Sequence, residues 1–95
     1  MKINEITHIE ALKDYVIIYT IKQKLITAMN LKTFHSKLPS NTYYRVSKSF
    51  IVNKNFITSF DYNSIYIDEI VIPLGSIYRK DFFHNFGEGS LDLNN

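Results

Sequence analysis

Histidine is the side chain best suited to proton transfer or metal ligation near neutral pH, and the chain has three, His8, His35 and His84. They fall on three separate segments, with no HxxxH or HExxH spacing. A zinc site needs three or four convergent ligands, so each reads as an ordinary surface or partly buried histidine. The adjacent carboxylates Asp68-Glu69 have the composition of a turn first and of a catalytic pair a distant second. Gly75-Ser76 belongs to neither GxxxxGK[ST] nor GxGxxG, and GxSxG is absent. With no cysteine there is neither a disulfide framework nor a thiolate site. These residues point to no enzyme, no cofactor and no metal.

The cations carry more information. Net charge is only +2, but from Ala11 to Phe60 there are eight Lys and Arg and one acid, Asp14. From Asp61 onward there are six acids and two cations. A fold keeping the middle segment on one face would present a basic surface, the footprint of a polyanion partner. The alternative is that lysines on exposed strand faces merely solvate a sheet.

The elements that position these residues are short. Ninety-five residues make one domain. Seven Tyr, seven Phe and no Trp lean towards pleated surfaces. No apolar run approaches the ~20 residues that cross a bilayer, and MKINEITHIE has no signal-peptide pattern. No membrane partner is expected, and the lack of cysteine fits a reducing, cytoplasmic setting. The pattern predicts strands at Thr7–Leu12, Asp14–Lys22 and Leu25–Met29, the second apolar on both faces and therefore central. Asn30 is placed to cap a short helix carrying Leu31, Phe34 and Leu38, with Lys32, His35 and Lys37 mostly outward and Pro39 at its end. Strands return at Tyr43–Val46, Phe50–Asn53, Ile57–Phe60, Ile65–Ile67 and Ile70–Leu74. Tyr78–Phe86 forms a final helical turn or two with Phe82, Phe83 and Phe86 on the core, and 88–95 is a flexible tail. The fold class is mostly β: small sheets, one short packed helix and a C-terminal helical turn. No helix carries the basic and polar spacing of a recognition helix, so if the protein reads DNA, loops between strands do it.

Four segments bear a family resemblance. YYRVSKSFIVN (Tyr43–Asn53), followed by KNFITSF, resembles the F-x-R-x-H-R/N-S-[YF]-[IV]-V-N segment of LytTR domains. IPLGSIYRKDF (Ile72–Phe82) is similar to the family's [IV]-P-[IV]-S-R-x-Y-R/K-K-x-[FL] ending. ITHIEALKDYVIIYT (Ile6–Thr20) and MNLKTFHSKLP (Met29–Pro39) resemble two further family segments. The matches are collinear over about residues 3 to 86. The resemblance implies a LytTR-like domain over 1–87, lacking the family's additional first strand ahead of Ile3. It also implies an output domain of a two-component response regulator, normally preceded by a receiver domain that is absent here. The implied partner is double-stranded DNA, read by loops in successive major grooves of direct-repeat sites, with pairing of two domains on DNA.

The resemblance also assigns residues. Lys48 stands where the family often has a base-reading Arg or Asn, and it donates to guanine without arginine's planar fork. Ser47 replaces a common histidine, and Ser49 is placed to donate to a phosphate. Arg45 meets either the phosphate backbone or an acid on a neighbouring strand. Ser76 stands in place of a frequent base-reading arginine, which weakens one point of readout. Tyr78, Arg79 and Lys80 follow as backbone contacts. In the first loop Lys13 touches phosphate, while Tyr15 contacts DNA or caps the core. Asn30 and Asn53 hold a cap and a turn. The competing expectation is an interaction module that keeps the fold with weak or non-specific DNA binding.

Overall fold

Alternating apolar residues, broken by polar turns, organise the first half of the chain into an antiparallel meander. The structure is a computed structural model in which residues 2–87 are described. A 3-10 turn (Ile3–Glu5) leads into β1 (Ile6–Ala11), β2 (Val16–Thr20) and β3 (Lys24–Thr27). Helix α1 (Leu31–Ser36), β4 (Tyr43–Arg45) and β5 (Phe50–Asn53) follow. After a 3-10 turn (Lys54–Phe56) come β6 (Ser59–Phe60), β7 (Ser64–Ile67) and β8 (Ile70–Pro73). A 3-10 turn (Ser76–Tyr78), α2 (Arg79–Phe82) and a π turn (Phe83–Gly87) close the described chain. The tail expected over 88–95 lies outside the described residues.

The first sheet has the order β3-β2-β1-β5-β4 and the second β6-β7-β8, with every pair antiparallel. The mostly-β architecture expected from the sequence is therefore present. Asn30 caps α1 as expected, its side chain accepting from Thr33 N at 2.8 Å. Asp68-Glu69 is the two-residue turn between β7 and β8. Asp68 has φ 52° there, a left-handed conformation that aspartate tolerates better than most residues.

Two apolar clusters divide the core. Ile6, Ile9, Val16, Ile18, Tyr43 and Ile51 pack under Leu31 and Leu38. Val46, Val52, Ile65, Ile67, Ile72, Leu74 and Phe82 form the second cluster, between the sheets and α2. Phe60 anchors an aromatic group there, 5.3 Å from Phe82, 5.8 Å from Phe83 and 5.2 Å from Phe86. The contacts with Phe82 and Phe86 are edge-to-face, a geometry that adds to the area buried.

Two expectations need correction. β2 is central as expected, paired with β3 on one side and β1 on the other, but the two-sided burial behind that expectation is not found. Only one face of β2 is deeply buried, through Val16 and Ile18. β5 is covered on both faces, Ile51 entering the first cluster and Val52 the second. Apolar residues on both sides of a strand do not say which neighbours will cover it. His35 is also not outward: it is half-buried, and its Nε2 lies 3.0 Å from the Tyr43 carbonyl on β4.

Asn53 on β5 ties β1, β4 and the following 3-10 turn together. It is 1% exposed, donates to the Ile6 carbonyl at 2.8 Å and to the Tyr43 hydroxyl at 3.2 Å, and accepts from Asn55 N at 2.9 Å. Tyr43 in turn donates its hydroxyl to the Ile3 carbonyl. The sequence reading of Asn53 as a turn holder holds, with a strand-bracing role added.

Candidate nucleic-acid interface

Antiparallel pairing brings the β1–β2 and β4–β5 turns to the same end of the larger sheet. The segment after β8 joins them there. Ala11 N donates to Ser49 O at 2.7 Å, which ties the first turn to the second. Gly75 N donates to Val46 O at 2.7 Å, which ties the second to the third. The first turn is closed by Leu12 N to Tyr15 O at 2.8 Å. Backbone bonds of this kind fix loop positions relative to one another, which a flexible loop would not offer a ligand.

The approach is close at Gly75. A β-carbon there would lie 3.2 Å from Tyr78 Cδ2 and 3.5 Å from both Ser47 Cα and Val46 O. Tyr78 is accordingly half-buried against the loop, and its N–H donates to Gly75 O at 3.0 Å.

Arg45 has a role the sequence did not announce. Its Nε donates to Ser47 O at 3.0 Å and its Nη2 to Lys48 O at 2.7 Å. Its guanidinium also lies 6.0 Å from the Tyr78 ring centre. The planar fork spans two successive carbonyls and braces the 47–48 turn from behind. Ser47 Oγ accepts from Ser49 N at 3.1 Å, tightening the same turn. Lys48 is left exposed at its tip, and Ser47 and Ser49 are half-buried beside it.

Arg79 is similarly engaged. Its Nε donates to Tyr62 O at 2.7 Å, its Nη2 to Asn63 Oδ1 at 3.0 Å, and it lies 4.0 Å from the Tyr62 ring centre. The Tyr62–Asn63 turn is itself shaped by Asp61. The Tyr66 hydroxyl and the amides of Asn63 and Ser64 hydrogen-bond to that carboxylate and hold it below the usual range. Lys80, Lys13 and Ser76 are exposed. Tyr15 is 42% exposed and belongs to neither cluster, so the core-capping alternative for it falls. Exposed Tyr62 and Ile77 at this end were missed by sequence reasoning. The one available signal was an isoleucine set among Gly, Ser, Tyr and Arg.

The cations of the middle segment are divided between the two ends of the larger sheet. A meander sends alternate turns to opposite ends of its sheet. Lys13, Arg45 and Lys48 therefore lie at the end just described, and Lys22, Lys24 and Lys54 at the other. Lys32 sits on α1 and Lys37 is its C-cap. The histidines stay apart. His8 is buried, stacked on Tyr19 at 4.3 Å with Nδ1 2.8 Å from Thr7 Oγ1, and burial lowers its pKa to about 4. Among the described residues no group of three or more His, Cys, Asp or Glu could hold a metal ion. No helix in them is long and apolar enough to cross a membrane.

A small β domain with a loop-built polar and cationic end is the class of protein this geometry defines. Residues 1–87 match the profile of the LytTr DNA-binding domain, and the chain belongs to that family, one of DNA-binding domains and not of enzymes. It is 36% identical over 67 residues to the transcriptional regulatory protein YpdB of Escherichia coli K12, covering 68% of this chain and 28% of that protein. It is 28% identical over 87 residues to the sensory transduction protein LytT of Bacillus anthracis, covering 85% of this chain and 35% of LytT. The chain thus spans only about a third or less of these relatives. A solved LytTr DNA-binding domain of a Bacillus cereus response regulator has the same fold, with a TM-score of 0.81 at 20% identity, over 92% of this chain and 85% of that one.

Proposed function

We propose that this domain reads DNA sequence through the 12–15, 46–49 and 75–78 loops, inserted in the major groove. The observation that supports it most is their mutual locking by the Ala11–Ser49 and Gly75–Val46 bonds, with Lys13, Lys48 and Ser76 left exposed on the joined surface. In this reading Lys48 donates to a base edge, while Lys13, Ser49 and Lys80 meet phosphates. Tyr15, Ser47, Tyr78 and Arg79 line the contact, and Arg45 holds the central loop. The domain serves as the output half of a two-component regulator behind a receiver domain. Two copies occupy a direct repeat.

The test is selection from a randomised duplex pool at moderate salt, with the natural domain and Lys48→Ala. A short repeated motif is expected, blurred at one position in the variant. Equal competition by any duplex would instead support the second reading, an interaction module with non-specific binding. Serine in place of the family's frequent arginine at position 76 favours that second reading.

A further inference from the structure

Ile77 is the most exposed large apolar side chain among the described residues, with 78% of its surface open. Isolated exposed apolar residues are common, so its placement carries the argument. It sits in the 3-10 turn Ser76–Tyr78, which is anchored at both ends of the approach. Gly75 N donates to Val46 O at 2.7 Å, and Tyr78 N donates to Gly75 O at 3.0 Å. Tyr78 is turned inward, its ring close enough that a β-carbon on Gly75 would sit 3.2 Å from Cδ2. Its neighbour Ile77 is left pointing out. A β-branched side chain has few rotamers, so a fixed backbone presents its methyls in a nearly fixed direction.

Exposed at the same end of the sheet are Lys13, Lys48 and Ser76, together with the side chains of Leu12, Tyr15 and Tyr62. The two cations and the hydroxyl favour a polyanion there. A polyanion that nonetheless offers an isolated apolar spot to a side chain is duplex DNA, through the thymine 5-methyl group in the major groove. We infer that Ile77 is a specificity-determining residue that packs on the 5-methyl group of one thymine in the bound site. This rests on the reading of the loops as DNA-contacting.

The experiment uses the best duplex selected by the natural domain. Each thymine is replaced singly by deoxyuridine, which removes only the methyl group. Affinities are measured by fluorescence anisotropy for the natural domain and for Ile77→Ala at one salt concentration. At one thymine the replacement is expected to weaken the natural domain about fourfold, the factor for ~0.8 kcal/mol per buried carbon. Ile77→Ala is expected to bind both duplexes alike, and an unchanged urea midpoint confirms its fold. The proposal is overturned if no thymine is methyl-sensitive, or if the sensitive one stays so in Ile77→Ala. A selected motif would then leave loop readout standing. Loss of DNA bending in Ile77→Ala without methyl sensitivity would make Ile77 a wedge and also overturn it. Failure to select any motif overturns the inference together with the reading beneath it.

Discussion

Replacing Arg45 by alanine separates a brace from a phosphate contact. The change removes two charge-assisted hydrogen bonds, 3.0 Å to Ser47 O and 2.7 Å to Lys48 O. Such bonds are worth about 1.5–3 kcal/mol each when shielded. The side chain is only half-buried and the Nη2 bond is exposed, so the discounted loss of stability is about 1–2 kcal/mol. The larger effect falls on binding. Ser47 and Lys48 lose their tether, and fixing each backbone again costs about 1–2 kcal/mol. Because the Ser47 Oγ bond to Ser49 and the Ala11 bond remain, the lower end applies, and affinity for the selected site should fall roughly ten- to one-hundred-fold. Urea denaturation measures the first effect, and anisotropy titrations between roughly 50 and 200 mM salt the second. A brace leaves the slope of log affinity against log salt unchanged and shifts the line down. A phosphate contact lowers the slope by about 0.9. A flattened slope with unchanged base preference would refute the bracing argument. Arg45→Lys should resemble Arg45→Ala, because one ammonium cannot span both carbonyls.

Asn53→Ala leaves the Ile6 carbonyl and the Asn55 amide without their buried partner, so the urea midpoint should correspond to about 2–3 kcal/mol less stability. The natural domain should itself weaken on acidification through His8. Its folded pKa, about 4, lies below the ordinary histidine value of 6.5, so the unfolded chain binds more protons between those values and stability falls as pH drops through that window. The loss from pH 7.5 to 5.0 is about 2 kcal/mol, and His8→Gln should lose most of that pH dependence in the same unfolding series. Gly75→Val should displace the Tyr78 ring and crowd the 46–49 loop, because a β-carbon there already meets Tyr78 at 3.2 Å and Ser47 and Val46 at 3.5 Å. A cost of about 1–3 kcal/mol is expected, with weaker site binding, whereas Ile77→Val should leave the unfolding midpoint in place.

Much of this protein was legible in its sequence because the signals were local. The capping oxygen of Asn30, the turn pairs Asp68-Glu69 and Asp61–Ser64, and the alternation along Ile6–Thr27 each act within a few residues. The segments YYRVSKSFIVN and IPLGSIYRKDF announced the family for the same reason. Such signals specify which elements form and roughly where they stop. What only the tertiary structure decided is which elements meet. Double burial of β5, the middle place of β1 and the inward turn of His35 depend on partners distant in the chain. So does the fate of the charges. Arg45 and Arg79 look like free cations in a string of residues, but the fold places backbone carbonyls within reach of each guanidinium. The lysines of Lys13–Lys54 look like one basic block, but an antiparallel meander reverses direction at every turn and deals them to opposite ends of the sheet.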